Sequence, residues 1–425
     1  MTELALLGGS PTISTPFKPF RTMGAGEVAA VQAVVESDCL SGFYGSWGDE
    51  FLGGPKIKEF EAAWAKAFAV KHCVSVNSAT SGLYAALGAV GISPGDEVIV
   101  PPYTMSASAV GPLVYGGIPV FADIEPETFG LDIASVEANI TEKTKAIVVV
   151  NLFGHPANLH AMRALADKHG LILIEDNAQG PFATENGKFA GTIGHIGVFS
   201  LNYHKHIHTG EGGMCVTEDD RLALRMQMIR NHAENIVEPT QHDDLANMIG
   251  FNYRMTELSA AVGIVQLERA EELIGKRVHI AHRLTEGTKD LEGFTPPVER
   301  PGSRHVYYVW TPKIDPAVIG VPRDVLVKAL AAEGVPIYQG YVRPLYLLPA
   351  FQKRMAMGRD HFPFTLTNRS YGKGLCPVAE EMHFSRLLAF ETCAHDLSEA
   401  DIDAVIAGIR KVHSQRHKLI PQAAE

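Results

Sequence analysis

From about Cys73 to Cys215 the chain repeats one rhythm: a short run of apolar, β-branched residues, a break, then a stretch with helical spacing. The runs CVSV, EVIV, PVFADI, KAIVVV, LILIED, GVFSL and GMCVT predict seven strands of a mostly parallel sheet built from β-α units. Between the fourth and fifth runs, Leu159, Met162, Leu165 and Ala166 share one helical face, and Gly170 follows as a stop signal. That stretch predicts a crossover helix. After NYRMTELSAAVGIVQLE the spacing becomes one long helical segment, expected to act as a spine between two domains with a boundary near residue 275. Beyond it come a Pro/Gly-rich loop (GFTPPVERPGS), a strand (HVYYVWTPKI) and a helix (RDVLVKALAAEG), the makings of a smaller α+β domain. The expected organisation is an α/β large domain over residues 1–275, including the N-terminal segment, and a small C-terminal domain over 276–425.

Length and composition narrow the partners. A chain of 425 residues exceeds what one compact core usually organises. With 46% hydrophobic and 20% charged residues it has the make-up of a globular enzyme. A net charge of -11 disfavours nucleic acid and anionic membranes, so small molecules are the expected partners. The five cysteines are scattered without C-x-x-C spacing, which argues against a disulfide framework or a zinc knuckle. The N-terminus MTELALLGGSPT reads poorly as a signal peptide and no stretch reaches the length of a membrane span, so a cytoplasmic location is expected.

Ligands of open α/β sheets sit beyond the carboxyl ends of the strands, so the residues just after each run carry the chemistry. NSATSGL follows the first run, and Thr80 and Ser81 at a helix N-terminus can hold a phosphate or simply cap the helix. Asp176 leaves the fifth run among residues of buried type. An unpartnered carboxylate there is costly, so it requires a cationic partner such as a protonated pyridine nitrogen, or else it caps the next turn. Gln179 lies within reach of a second ring substituent. The sixth run leads into NYHKHIHTGEGG, where Lys205 stands among His204, His206 and His208. Alternating histidines on a strand face could bind a metal. No acidic ligand accompanies them in a recognisable pattern, so no metal site is expected. A lysine, a carboxylate and a hydroxyl-rich helix start on one sheet edge are instead the binding set of pyridoxal phosphate.

These segments resemble the DegT/DnrJ/EryC1/StrS sugar aminotransferases, a branch of the fold-type-I pyridoxal-phosphate enzymes. FSLNYHKHIHTGEGG is similar to the family's lysine motif. SPGDEVIVPPYT, PVFADIEPETF, LFGHPANL, IEDNAQG, GFNYRMTELSAAVGIVQLE and PLYLLPAF follow in the family's order over nearly the whole chain. The resemblance implies that Lys205 forms the Schiff base, Asp176 pairs with the ring nitrogen and Gln179 lies near the phenolic oxygen. It also implies that Thr80, Ser81 and Ser200 bind the phosphate, and that Asn252 reaches the phosphate of a neighbouring subunit in a homodimer with shared active sites. The implied reaction moves an amino group from glutamate or glutamine to a ketosugar, often nucleotide-linked, or to a keto-cyclitol. Some relatives are ketosugar dehydratases with histidine in place of the lysine; here Lys205 holds the motif position, flanked by His204 and His206. The chain departs from the family at Ala79, where many members have glycine, and at Met105, where an aromatic is common; a thioether can still pack on a ring face. Arg343 and the segment SGFYGSWGDEF, with Tyr44 and Trp47, are expected to recognise the acceptor.

Overall fold

The computed structural model describes residues 3–423. All seven apolar runs form strands: β1 (His72–Val76), β2 (Glu97–Val100), β3 (Ile118–Phe121), β4 (Thr144–Val150), β5 (Ile172–Asp176), β6 (Ile196–Ser200) and β7 (Gly213–Thr217). They lie side by side in the order β1-β7-β6-β5-β4-β2-β3. β5 and β6 pair in parallel, as do β4 with β5 and β2 with both β3 and β4. β7 runs antiparallel to both neighbours, β1 and β6. The physical reason is the connection: β7 follows β6 through a returning loop, and only an antiparallel pair can be joined that way without a crossover.

Successive strand residues point to opposite faces, and each face has its own core. Val74, Val98, Val148, Ile174, Val198 and Cys215 pack with Leu83 and Leu87 of the helix Ala79–Val90. On the other face Cys73, Ile99, Ile147, Leu173, Phe199 and Val216 pack with Phe60 and Trp64 of the helix Pro55–Phe68 and with Met162. The crossover helix runs Leu159–His169, buries Leu159, Met162, Leu165 and Ala166, and ends at Gly170 in the left-handed conformation (φ 64°). In that region glycine carries no Cβ penalty.

A third core lies in the C-terminal part, around Trp310, Leu326, Leu330, Phe390, Ile402 and Val405. The long helix Ala270–Thr288 joins two cores: Ala270, Leu273 and Ile274 pack beneath the sheet, whereas Ile280, Ala281 and Leu284 belong to the third core. Residue 275 is therefore inside a continuous helix, at the point where its buried face changes core. The packing also crosses that position elsewhere, since Leu4 belongs to the third core and Tyr346, Phe351 and Tyr371 pack with the sheet. The expected strand over HVYYVWTPKI is broken into Val309–Trp310 and Lys313–Ile314. Pro312, which has no N–H for a ladder, stands between the two pieces. Val309–Trp310 (β8), Tyr338–Gln339 (β9) and Leu388–Glu391 (β10) form a small antiparallel sheet with β10 in the centre.

The turn before β6 passes so close to the strand that a Cβ on Gly197 would sit 1.8 Å from the Gly191 carbonyl oxygen. Neither backbone segment can yield without disturbing the sheet beside β5. Gly197→Ala is expected to destabilise the fold by about 3 kcal/mol, read as a lower urea midpoint at unchanged slope.

Candidate active site

The parallel strands bring their carboxyl ends to one edge, and three stretches of sequence meet there. Helix Ala79–Val90 starts three residues after the end of β1. Ser78 caps it, accepting the Ser81 N–H at 3.1 Å, and the Ser81 hydroxyl donates to Asn77 at 2.6 Å. Ala79 and Thr80 stand at the open end, with Thr80 exposed and Ser81 buried. β7 enters directly beside this turn, where a Cβ on Gly213 would lie 2.7 Å from the Ala79 nitrogen. Gly213 pairs with Ser200. The helix start and the end of β6 are thereby adjacent, as a phosphate cradle of Thr80, Ser81 and Ser200 requires.

Asp176 ends β5 and is buried. Ser108 donates its hydroxyl to one carboxylate oxygen at 2.6 Å, and the Ala178 N–H reaches the other at 3.1 Å. Burial raises the Asp176 carboxyl, while Ser108, the Ala178 amide and the Lys205 charge act in the opposite direction. Beside it, the fully buried Glu175 accepts from the backbone of Gly191 and Ile193 and from Asn151, which fixes the end of β5 from below. Gln179 accepts from the Phe153 N–H at 2.7 Å and donates to the Tyr341 hydroxyl at 3.0 Å, so its amide has a fixed orientation.

Lys205 lies in the loop between β6 and β7, closed at its base by Leu201 N–H to Gly212 O and Thr209 N–H to Leu201 O, both 2.9 Å. The side chain is buried, with its amine 4.3 Å from the centre of the Tyr308 ring. Burial pushes the amine down to about 8; the charge of Asp176 acts against this shift, as do Cys393 and Glu391. Burial disfavours the charged form, so the neutral amine dominates above that pH instead of above the ordinary lysine value. Competitive labelling of the cofactor-free protein is expected to give Lys205 a midpoint about 8, whereas an ordinary midpoint near 10.5 would show that the amine is not desolvated.

The histidines beside it do not converge. The segment 202–209 is a turn rather than a strand, so alternation does not place them on one face. His204 is exposed beside Tyr203, and His208 bonds Thr22 at 2.9 Å. His206 is buried, sits 3.5 Å from the Cys393 sulfur, and is pushed down to about 3 chiefly by burial, which keeps it neutral.

A cavity of about 310 Å³, lined by Phe20, Tyr203, His204, Tyr308, Glu391 and Cys393, lies beside the Tyr308 ring that the Lys205 amine contacts. Sequence reasoning missed Ser108, Tyr308, Tyr341, Glu391 and Cys393. Tyr308 and Cys393 come from the C-terminal part, and only the pairing of β8 with β10 brings them here. Arg343 is exposed, two residues beyond Tyr341, and its charge acts on His383. Tyr44 and Trp47 are 64% and 46% exposed on a loop that Asn231 holds through the Tyr44 carbonyl at 2.8 Å. Asn252 is bridged to the same Asn231, and its side chain is exposed. Within one chain, Tyr44 and Trp47 interact on this outer face, whereas the Asn252 carbonyl accepts from the Asn77 side chain at 3.3 Å, next to the helix start that carries Ser81. Met105 is 54% exposed at the mouth of the loop that follows β2.

The arrangement fits pyridoxal phosphate: a buried carboxylate with no guanidinium or second lysine acting on it among the described residues, a desolvated amine, and a helix N-terminus at one sheet edge. Residues 45–409 match the model of the DegT/DnrJ/EryC1/StrS aminotransferase family. The chain is 38% identical over 363 residues to the GDP-perosamine synthase of Caulobacter vibrioides, covering 84% of this chain and 90% of that one. It is 34% identical over 429 residues to the L-glutamine:2-deoxy-scyllo-inosose aminotransferase of Streptoalloteichus tenebrarius, covering 96% and 97%. Among solved structures, the aminotransferase from Psychrobacter cryohalolentis matches with a TM-score of 0.81 at 30% identity, over 95% of this chain and 100% of that one. S. venezuelae DesV, solved in complex with a ketimine intermediate, matches with a TM-score of 0.79 at 30% identity, over 94% and 99%. By the extent of these matches and the architecture they share, the chain belongs to the DegT/DnrJ/EryC1/StrS aminotransferase family and is a pyridoxal-phosphate-dependent aminotransferase of fold type I.

Proposed function

We propose that this enzyme transfers an amino group from glutamate or glutamine to the keto group of a sugar, nucleotide-linked or not, or of a cyclitol, at the site centred on Lys205. The relatives named for a GDP-linked amino sugar and for an inosose support both acceptor classes. The observation that carries the reading is that two buried groups of opposite charge, the Lys205 amine and the Asp176 carboxylate, act on each other at one edge of the sheet. Pyridoxal phosphate, when bound, supplies an aldehyde for amine exchange and a protonated ring that accepts electrons from the donor carbon. Lys205 would hold the aldehyde, and its neutral amine would take up the proton from the donor α-carbon. Asp176, held by Ser108, would keep a proton on the ring nitrogen. Thr80, Ser81 and Ser200, with the Ala79 amide, would hold the phosphate; Gln179 would face the phenolic oxygen and Met105 the ring.

In this reading the enzyme is a cytoplasmic homodimer. Val28, Val35, Leu40, Tyr44, Trp47 and Ile249 are all exposed, which suits burial against a second copy. Asn252, Tyr44 and Trp47 share an outer face and would reach the partner's site, with Arg343 at the edge of the acceptor path. Among the described residues no helix is long and apolar enough to cross a membrane. The division near residue 275 separates the cofactor-binding part from the part that carries Tyr308 and Glu391.

The test is an absorption spectrum of the protein with pyridoxal phosphate, before and after L-glutamine or L-glutamate. A visible band that donor converts to the pyridoxamine form, and that Lys205→Ala lacks, is the expected result. A band that no amino donor discharges would instead favour dehydration.

A further inference from the structure

We propose that the face of Tyr308 is the resting place of the Lys205 amine once a donor has displaced it, which makes Tyr308 a positioning residue for proton transfer. The inference rests on Lys205 being the reacting lysine. Its basis is geometric: the amine lies 4.3 Å from the ring centre, and the ring is buried and lines the adjoining cavity. His204 and His206 flank the same ring at 6.2 and 6.1 Å.

The ring is held by its backbone. Tyr308 immediately precedes β8, whose Val309 pairs with Glu391, and the Thr392 hydroxyl donates to the Tyr308 carbonyl at 3.2 Å. Its own hydroxyl makes no hydrogen bond among the described residues, so anchoring the ring does not depend on it. Arg277, in the middle of the long helix, donates to the His395 carbonyl at 2.9 Å and so steadies the segment that follows β10.

A released lysine needs such a place. Its side chain is long and flexible, so a displaced amine stays near the reacting carbon only if a neighbouring group holds it. When the amine takes the α-proton, the C–H electron pair stays with the carbon and the positive charge appears on Nζ. The groups facing that charge are Asp176 on β5, Glu391 on β10, Cys393 just beyond it, and the neutral imidazoles of His204 and His206. A ring face adds attraction for the ammonium without forming a bond that would hold it against return of the proton. Asp176 cannot take this role while it serves the ring nitrogen.

The test compares wild type, Tyr308→Phe and Tyr308→Leu by two readouts. One is the pH midpoint of Lys205 labelling in cofactor-free protein; the other is the single-turnover rate of the donor half-reaction. Tyr308→Phe keeps the face and is expected to stay within twofold in rate with an unchanged midpoint. Tyr308→Leu keeps apolar bulk but loses the face; its midpoint is expected to fall by roughly half a unit to one unit, and its rate three- to tenfold. Tyr308→Met serves the same purpose if the leucine variant does not fold. Wild-type behaviour of the leucine or methionine variant overturns the proposal. So does equal impairment of the phenylalanine variant, which would assign the role to the hydroxyl. A wild type that takes up no cofactor defeats the reading of Lys205 as the reacting lysine; the labelling midpoint then still judges the ring contact on its own.

Discussion

Lys205→Ala is expected to abolish amino transfer, lowering turnover with glutamine and a keto acceptor on the order of 10⁴-fold while the protein stays folded. Two functions vanish together, because the same nitrogen binds the aldehyde and takes the proton. No neighbour can replace it. His206 is buried but faces the Cys393 sulfur, and His204 is exposed at the cavity rim. The alanine leaves space, so a small primary amine added to the assay is expected to restore part of the lost proton transfer, more effectively at higher pH as more of it becomes neutral. Initial rates and donor-induced difference spectra measure both effects. Turnover by the variant near the wild-type rate would move the chemistry to another residue.

Asp176→Asn is expected to lower the rate of the donor half-reaction on the order of 10²- to 10³-fold, a magnitude typical of removing one buried electrostatic partner. The substitution keeps the shape of the side chain and removes its charge. The amide nitrogen cannot accept from Ser108 or Ala178, so one of those donors also loses its acceptor. A second consequence has a definite sign. The Asp176 charge holds the Lys205 amine up against burial, so without it the Lys205 midpoint should fall below about 8. Labelling of the cofactor-free variant reads this shift directly, and an unchanged midpoint would mean that the two groups do not act on each other. Ser108→Ala is the milder companion: it leaves the charge in place and removes its 2.6 Å hydrogen bond.

These expectations depend on contacts of two kinds. The contacts of Asp176 gather at one sheet edge, where the turn after β5 supplies the Ala178 amide and the helix Ala107–Val114 after β2, two strands along across β4, supplies Ser108. The contact between Lys205 and Tyr308 joins residues from opposite ends of the packing scheme. It exists because β8 pairs with β10 and because the long helix Ala270–Thr288 ties the third core to the sheet.

What the sequence determined by itself was whatever short-range periodicity and steric necessity encode. Seven apolar runs became seven strands because a strand needs only a few consecutive residues that bury both faces. Leu159, Met162, Leu165 and Ala166 formed one buried helical face with Gly170 at its end because these properties follow from the 3.6-residue turn and the absence of a Cβ. Asp176 could be picked out because a carboxylate ending an apolar strand is costly unless a partner is supplied, and Lys205 because it shares a sheet edge with that carboxylate and a hydroxyl-rich helix start. Tertiary structure alone decided the rest. Nothing in the spacing of HVYYVWTPKI shows that Tyr308 turns toward the lysine while Tyr307 enters the third core, since adjacent side chains diverge and the register is fixed by a strand some eighty residues away. Ser108 has no signature that separates it from any other serine in a helix. The three histidines looked alike in the sequence, yet one is exposed, one is buried against a sulfur and one caps a distant threonine, because the loop is a turn and not a strand. Local pattern fixes which residues are buried and in what element; which of them meet depends on pairings between distant segments, whose registers are set by the cores they close.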